Sequence, residues 1–499
     1  MIHVHFEENR LFYDVRDVLK LFFRDEDIVE TGAEPPHECQ GAFLTGFYSE
    51  ADGRHVFSIR LRAAGMSYTA DIPVCGDMEP EDEYEIRKTL KNEVKRHIYL
   101  ALSGYTGNEP PWGILTGIRP AKIVHEMLDK GYEREKILRR LNEYYRIASS
   151  KANLLYDVAR NETSILEKNR PDDISVYIGI PFCTTRCLYC SFVSNSMDRS
   201  AHLVDRYLEA LKYEIRLVNE IIKAKRYTIQ SLYIGGGTPT SIDRAQLSEL
   251  LESVEKGFDL SRVEEYTVEA GRPDSLDAGK LRIIKNSRTS RISINPQTMN
   301  DETLKLIGRC HTPEDTVRAF ETAREIGFDN INMDVIIGLP GENLPMFENT
   351  LERISEMAPE SLTVHTLAVK RASKLNEDRT DYSLIAGEEA SLMVERAQEY
   401  ARSKGMHPYY LYRQKNILGN LENIGYCKPD FESIYNIQIM EEKQSIIALG
   451  AGAVTKVVFP EENRIERAFN VKNVEEYIQR VDEMVERKKK SLFQGIRGV

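Results

Sequence analysis

Long hydrophobic runs are missing from this sequence: no stretch approaches the ~18 consecutive apolar residues of a membrane helix. Its first ten residues, MIHVHFEENR, have neither a basic segment nor an apolar one, so no secretory signal is expected and the reading is a cytoplasmic protein. Positive charge is also short, with 67 Lys and Arg against 79 Asp and Glu and a net charge of −12. A phosphate backbone is held by clustered Lys and Arg, so a nucleic-acid partner is not expected. The run Lys488-Lys489-Lys490 is too brief to change this and reads as a solvated tail. Cysteine is sparse and odd in number, seven in 499 residues, with three of them inside one eight-residue segment. That pattern excludes a secreted disulfide framework and points to a reducing compartment and a metal.

What is present falls into three parts. Residues 1–170 read as an α+β domain: two alternating runs, 42–48 and 55–61, flank Asp52-Gly53 as in a β-hairpin, and charged helical segments follow from Pro80. Arg170-Pro171-Asp172-Asp173 marks a boundary. From 171 to 375, short apolar strands (175–180, 231–234, 265–269, 291–294, 330–337 and 361–366) alternate with helix-length segments. Six such units predict a parallel α/β sheet, open or curled into a barrel, with ligands at the C-terminal strand ends. Residues 376–499 read as a further α+β region.

The chemistry is concentrated after the first of these strands, in Tyr177-Ile-Gly-Ile-Pro-Phe-Cys183-Thr-Thr-Arg-Cys187-Leu-Tyr189-Cys190. Three closely spaced thiolates in one loop suit three corners of a 4Fe–4S cubane, leaving one iron open for another ligand. A structural zinc is the alternative and would need a fourth ligand such as Cys310 or His311. A redox pair Cys187-x-x-Cys190 would leave Cys183 idle. The second strand ends in Gly235-Gly236-Gly237-Thr238-Pro239, where absent side chains let backbone approach a ligand. Glu269 closes the third strand, and Gln297 and Arg309 follow the fourth. Asp334 lies within the apolar fifth strand, where burial without a partner is costly.

CxxxCxxC with an aromatic before its last cysteine, together with the GGGTP segment, resembles the radical S-adenosylmethionine (SAM) enzymes. The segments between residues 175 and 477, including Gly179-Ile-Pro-Phe-Cys183, 291–297 and Leu449-Gly-Ala-Gly-Ala453, resemble the oxygen-independent coproporphyrinogen III oxidase family, in the wording of its HemZ-type coproporphyrinogen dehydrogenases. The resemblance implies a partial (β/α)6 barrel. It implies a 4Fe–4S cluster on Cys183, Cys187 and Cys190, with SAM chelated to the open iron and cleaved to a deoxyadenosyl radical. Tyr177, Tyr189, Gly236, Gly237, Thr238, Glu269, Gln297, Arg309 and Asp334 then fall on SAM-contacting positions.

The implied reaction is oxidative decarboxylation of coproporphyrinogen III propionates to protoporphyrinogen IX, without O2, in heme biosynthesis. Its partners are a tetrapyrrole substrate and a flavodoxin- or ferredoxin-like electron donor; no catalytic side chain is assigned beyond the cofactors. Two departures stand out. The oxidase's fourth cysteine is Phe192 here, and the His before its Ile-Pro-Phe-Cys is Gly179. Heme chaperones of the same branch carry an HNxxYW stretch, matched here by Tyr435-Asn436-Ile437-Gln438-Ile439-Met440, which lacks its His, Tyr and Trp. This favours the enzyme over the chaperone; a radical-SAM ring-opening methyl transfer on heme is a further alternative. For tetrapyrrole carboxylates the candidates are Arg371, in the basic stretch Lys370-Arg371, and Arg413, in Tyr409-Tyr410-Leu-Tyr412-Arg413.

Overall fold

A computed structural model describes the chain except for residues 8, 33–40, 52–53, 64, 74–82, 371–372, 374, 376–383, 463 and 494–499. Chain contacts divide it into two compact units, Met1–Tyr156 and Asp157–Val499. The division falls inside the helix Ser149–Leu166, ahead of the Arg170-Pro171 signal.

The first unit holds a five-stranded sheet of β1 (Ile2–Phe6), β2 (Ile28–Glu30), β3 (Ala42–Ala51), β4 (Arg54–Ala63) and β5 (Met66–Pro73), in the order β2-β1-β3-β4-β5. Strict alternation in β1 buries Ile2, Val4 and Phe6 on one face, as a half-covered sheet requires. The expected hairpin is β3–β4, antiparallel with Ala51 opposite Arg54; its turn, Asp52-Gly53, lies outside the described residues. Helices Glu83–Thr106 and Ala121–Asp129 follow, and Trp112 is buried between them in sequence.

The second unit is built on the predicted alternation. Six strands, β6 (Asp173–Ile180), β9 (Thr228–Gly236), β10 (Glu265–Glu269), β11 (Arg291–Ser293), β12 (Ile331–Ile337) and β13 (Ser361–Thr366), run parallel to one another; β7 (Phe182–Cys183) and β8 (Asn195–Ser196) form a separate small pair. Every residue of β6 but Tyr177 is buried, the mark of a strand covered on both faces. The intervening helices start where the sequence caps them: Asp243 and Gln246 form a capping box for Arg244–Gly257. Thr312, Asp315 and Pro313 open Pro313–Ile326, which Gly327 closes in a left-handed conformation.

The C-terminal region completes this sheet rather than forming a layer of its own. β14 (His407–Tyr412) and β15 (Asn423–Cys427) add antiparallel beyond β13, while β16 (Ser445–Leu449) adds parallel beside β6, followed by β17 (Val454–Phe459) and β18 (Arg464–Phe469). The result is an open sheet of order β14-β15-β13-β12-β11-β10-β9-β6-β16-β17-β18, the radical-SAM partial barrel with strands added at both edges. No described helix is long and apolar enough to cross a membrane.

The lysine run is not a solvated tail. Lys488, on the helix Val481–Phe493, is fully buried against Glu214 of Val204–Lys225 (Nζ to Oε1, 2.7 Å), while Lys489 and Lys490 are exposed. Glu214 also accepts from the Gly450 amide and the Tyr477 hydroxyl, tying the C-terminal helix to the glycine turn after β16.

Candidate active site

One cavity of about 600 Å³ opens at the C-terminal ends of the parallel strands, lined by strand ends and by the loops that follow them. Cys183, Cys187, Cys190, Tyr177, Tyr189, Gly236, Gly237, Thr238, Glu269, Gln297, Arg309 and Asp334 all line it. Twelve positions singled out from scattered segments thus share one space.

The cysteine loop is pinned along its length. Its first turn pairs β7 with β8, and the Gly237 and Thr238 amides donate to Ile180 and Phe182 carbonyls at 2.8 and 2.7 Å. A Cβ on Gly237 would lie 2.5 Å from the Phe182 carbonyl oxygen and 2.9 Å from Cys183 Sγ, so only glycine permits this approach. The Thr238 hydroxyl faces Cys183 Sγ at 3.5 Å. Farther along, Arg272 donates to the Thr185 carbonyl at 2.9 Å and reaches Cys187 Sγ at 3.6 Å. The Arg272 guanidinium is itself paired with Asp274 (2.9 Å), which also accepts from the Thr184 hydroxyl. Leu188 donates to the Ile307 carbonyl, placing the loop against the segment that carries Arg309. Burial pushes the Cys183 thiol up to about 11, so in the metal-free site it is protonated and metal binding would displace its proton.

The other strand ends supply polar atoms aimed at a ligand. Gln297 has φ +67°, a conformation held by its amide donating to the Asp334 carbonyl and its carbonyl accepting from the Ile336 amide, both at 2.9 Å. The side-chain oxygens of Gln297 and Asn295 and the Arg309 Nε are buried with no hydrogen-bond partner. Buried polar atoms are rarely left so, and a bound molecule would satisfy them. Burial, reinforced by the charge of Asp334, raises the Glu269 carboxyl to about 7, although the Tyr233 hydroxyl donates to it at 2.5 Å. Asp334 resolves its own burial differently. Desolvation opposes its charge, but His365 and Asn332 (Nδ2 to Oδ1, 2.7 Å) outweigh it and hold the carboxyl below its usual range. His365 in turn meets the Tyr412 hydroxyl at 3.2 Å. Tyr435 stacks on Tyr233 and Tyr177, with centroids 4.5 and 6.0 Å apart.

The residues fit a cubane better than a compact zinc site. Tetrahedral zinc at ~2.3 Å from each sulfur draws thiolates to within roughly 4 Å of one another. Among the described residues, the groups of three or more potential ligands with all ligand atoms within 4.8 Å do not include the three cysteines. Neither fourth-ligand candidate lines the cavity: Cys310 is exposed, and His311 is buried, pushed down to about 4 by burial and by the Arg309 charge. The orphaned oxygens and the two buried carboxylates fit the polar and cationic groups of SAM.

Two substrate candidates fare differently. Arg413 does not line the cavity; its guanidinium donates to the Asn420 and Leu421 carbonyls, holding the turn between β14 and β15. Arg371 lies outside the described residues. Arg272, Lys370, His365, Tyr412, Tyr233 and Tyr435 line the cavity without having been assigned to it. Arg272 stands three residues past Glu269 at the end of β10, so strand-end position alone could have flagged it.

The Radical SAM superfamily matches residues 177–354. The oxygen-independent coproporphyrinogen-III oxidase-like protein HemZ of Bacillus subtilis is 38% identical over 491 residues, 98% of this chain and 96% of its own. The heme chaperone HemW of the same organism is 34% identical over 56% of this chain and 70% of its own. Among solved structures, the coproporphyrinogen III oxidase (HemN) of Escherichia coli, described as a radical SAM enzyme, superposes with a TM-score of 0.51 at 24% identity. It covers 66% of this chain and 73% of its own, which shows the shared fold. With a HemZ relative matched from end to end, the chain belongs to the radical-SAM family of oxygen-independent coproporphyrinogen III oxidase-like proteins, whose cofactors are a 4Fe–4S cluster and SAM.

Proposed function

We infer that this protein oxidatively decarboxylates propionates of coproporphyrinogen III to vinyl groups, giving protoporphyrinogen IX. The observation that carries the reading is the single cavity in which three cysteine thiols, two carboxylates and orphaned amide oxygens converge. Cys183, Cys187 and Cys190 would hold the cluster, and Tyr177, Tyr189, Gly236, Gly237, Thr238, Glu269, Gln297, Arg309 and Asp334 would hold SAM. When bound, the two cofactors supply one-electron abstraction of a hydrogen atom. Arg272 and Thr238 keep the loop shaped for the cluster, and the stack of Tyr177, Tyr435 and Tyr233 excludes water beside it. Residues 171–375 are the core barrel in this reading and 376–499 cover the substrate.

The heme-chaperone reading has less support here. The position of the chaperones' histidine is Tyr435, held in the ring stack and almost fully buried, where it offers no axial ligand at a surface. The experiment is anaerobic incubation of reconstituted protein with SAM, a reductant and coproporphyrinogen III, with products followed by mass. Loss of two CO2 and four hydrogens per porphyrinogen is expected. SAM cleavage without that loss refutes this substrate, and stoichiometric heme binding without turnover establishes the chaperone.

The raised Glu269 gives a pH test of the SAM assignment. A carboxyl with its pKa near 7 is neutral below that pH and charged above it, and a cationic ligand prefers the charged form. SAM affinity is therefore flat above about pH 7.5 and falls by up to about tenfold per pH unit below 7. Glu269→Gln binds weakly at all pH values with no slope. Anaerobic calorimetry from pH 6 to 8.5 measures both, and a flat wild-type profile removes Glu269 from SAM contact.

A further inference from the structure

Five Lys and Arg side chains among the described residues line the cavity, and four already have acceptors. Arg272 is paired with Asp274, and Arg291 donates to the Asn330 side chain and the Phe431 carbonyl at 3.0 and 2.9 Å. Arg309 donates to the Asn295 carbonyl, and Lys456 is paired with Glu442 at 3.3 Å. The fifth, Lys370, follows β13 and is partly buried; among the described residues its ammonium has no hydrogen-bond or ion-pair partner. Two neighbours meet it: Cys190, whose sulfur attracts its charge, and the Phe192 ring, whose centroid lies 5.8 Å from Nζ. Phe192 also lines the cavity, yet it is 67% exposed, an unusual state for a phenyl ring.

The distribution of charge divides the cavity. Glu269 and Asp334 stand at the ends of β10 and inside β12, where a cationic ligand belongs. Lys370 and Phe192 stand at the cysteine-loop side, beside Cys190, with a cation whose N–H groups have no hydrogen-bond or ion-pair acceptor among the described residues and a ring that is largely exposed. A partly desolvated ammonium whose N–H groups lack acceptors is costly, and a carboxylate ligand supplies them. An exposed aromatic face beside it suits a flat ring that carries that carboxylate.

We propose that Lys370 and Phe192 form the substrate-holding pair of the cavity, Lys370 taking a propionate carboxylate and Phe192 the adjacent face of the tetrapyrrole. The proposal rests on the reading that the substrate is a tetrapyrrole, and it gives Phe192, where the oxidases have a cysteine, a role of its own. It also supplies the carboxylate-binding cation that Arg413 does not.

The test is equilibrium binding of coproporphyrin III, the stable tetracarboxylate analogue, to reconstituted protein, read by porphyrin fluorescence, with SAM affinity measured beside it. Lys370→Gln is expected to weaken the porphyrin about ten- to a hundredfold, Lys370→Arg to restore most of the loss, and Phe192→Ala to weaken it several-fold. SAM affinity stays unchanged in all three. Coproporphyrin tetramethyl ester, which has no carboxylate, binds wild type and Lys370→Gln alike. Tight binding of the acid by Lys370→Gln, or a loss confined to SAM, overturns the pair. Failure of wild type to bind the acid at all overturns the tetrapyrrole reading, and the proposal with it.

Discussion

Lys488→Met is expected to destabilise the second unit by about 3–5 kcal/mol, far more than the same change at either neighbouring lysine. The Lys488 ammonium donates to Glu214 at 2.7 Å and to the Asn470 side chain at 2.5 Å, and both ionic side chains are at most 1% exposed. Removing the cation leaves the Glu214 carboxylate buried with only the neutral donors Gly450 N, Tyr477 Oη and Asn470 Nδ2. An uncompensated buried charge, not the loss of the pair's attraction, sets the size of the effect. The double variant Glu214→Gln/Lys488→Met should therefore recover much of the loss, because no charge is then stranded. Lys489→Met and Lys490→Met, on the exposed face, should stay within about 0.5 kcal/mol of wild type. Urea denaturation midpoints measure all four. A Lys488→Met midpoint no lower than that of Lys489→Met removes the network from the account of stability.

The same residue shows where the sequence was readable and where it was not. The three-lysine run suggests solvent because charge alone is read. Yet Val481, Met484, Val485, Lys488 and Leu492 lie on one helical face, and four of those five are apolar. The stripe was legible; the buried acid that Lys488 meets was not, since Glu214 lies 274 residues away. The cysteine loop and the strand ends were legible for the opposite reason. Their chemistry is local, a motif of eight residues or a carboxylate closing an apolar strand, and the parallel fold brings all the strand ends to one side. Arg413 misled because a basic residue amid aromatics looks the same whether it faces a ligand or a backbone turn; its partners, the Asn420 and Leu421 carbonyls, are fixed by the β14–β15 connection. The pairing of β16 with β6 was equally hidden, because register between strands 271 residues apart leaves no periodic mark.

Serine at Cys183, Cys187 or Cys190 should each reduce iron from about four atoms per chain to less than about one, and SAM cleavage to below about 1% of wild type. The argument is one of ligand count. The loop offers three thiols to the cavity, and Cys310 and Cys427 do not line it, so a lost corner has no substitute among the described residues. Serine keeps the shape of the loop, because Arg272 holds it through the Thr185 carbonyl and Thr238 through the Phe182 carbonyl, neither needing a sulfur. Thermal midpoints of the metal-free variants should therefore match wild type, separating loss of the ligand from loss of the fold. Cys310→Ser and Cys427→Ser, by contrast, should retain iron and cleavage. Arg272→Met tests the frame rather than the ligands: all three thiols remain, but the loop loses its link to Asp274 and its contact at Cys187, so reconstitution should be slower and the iron more easily removed by chelator. Iron retained at wild-type level by all three single serine variants would show that the metal is held elsewhere. Zinc in place of iron after anaerobic reconstitution would return the loop to the structural site that its spacing alone left open.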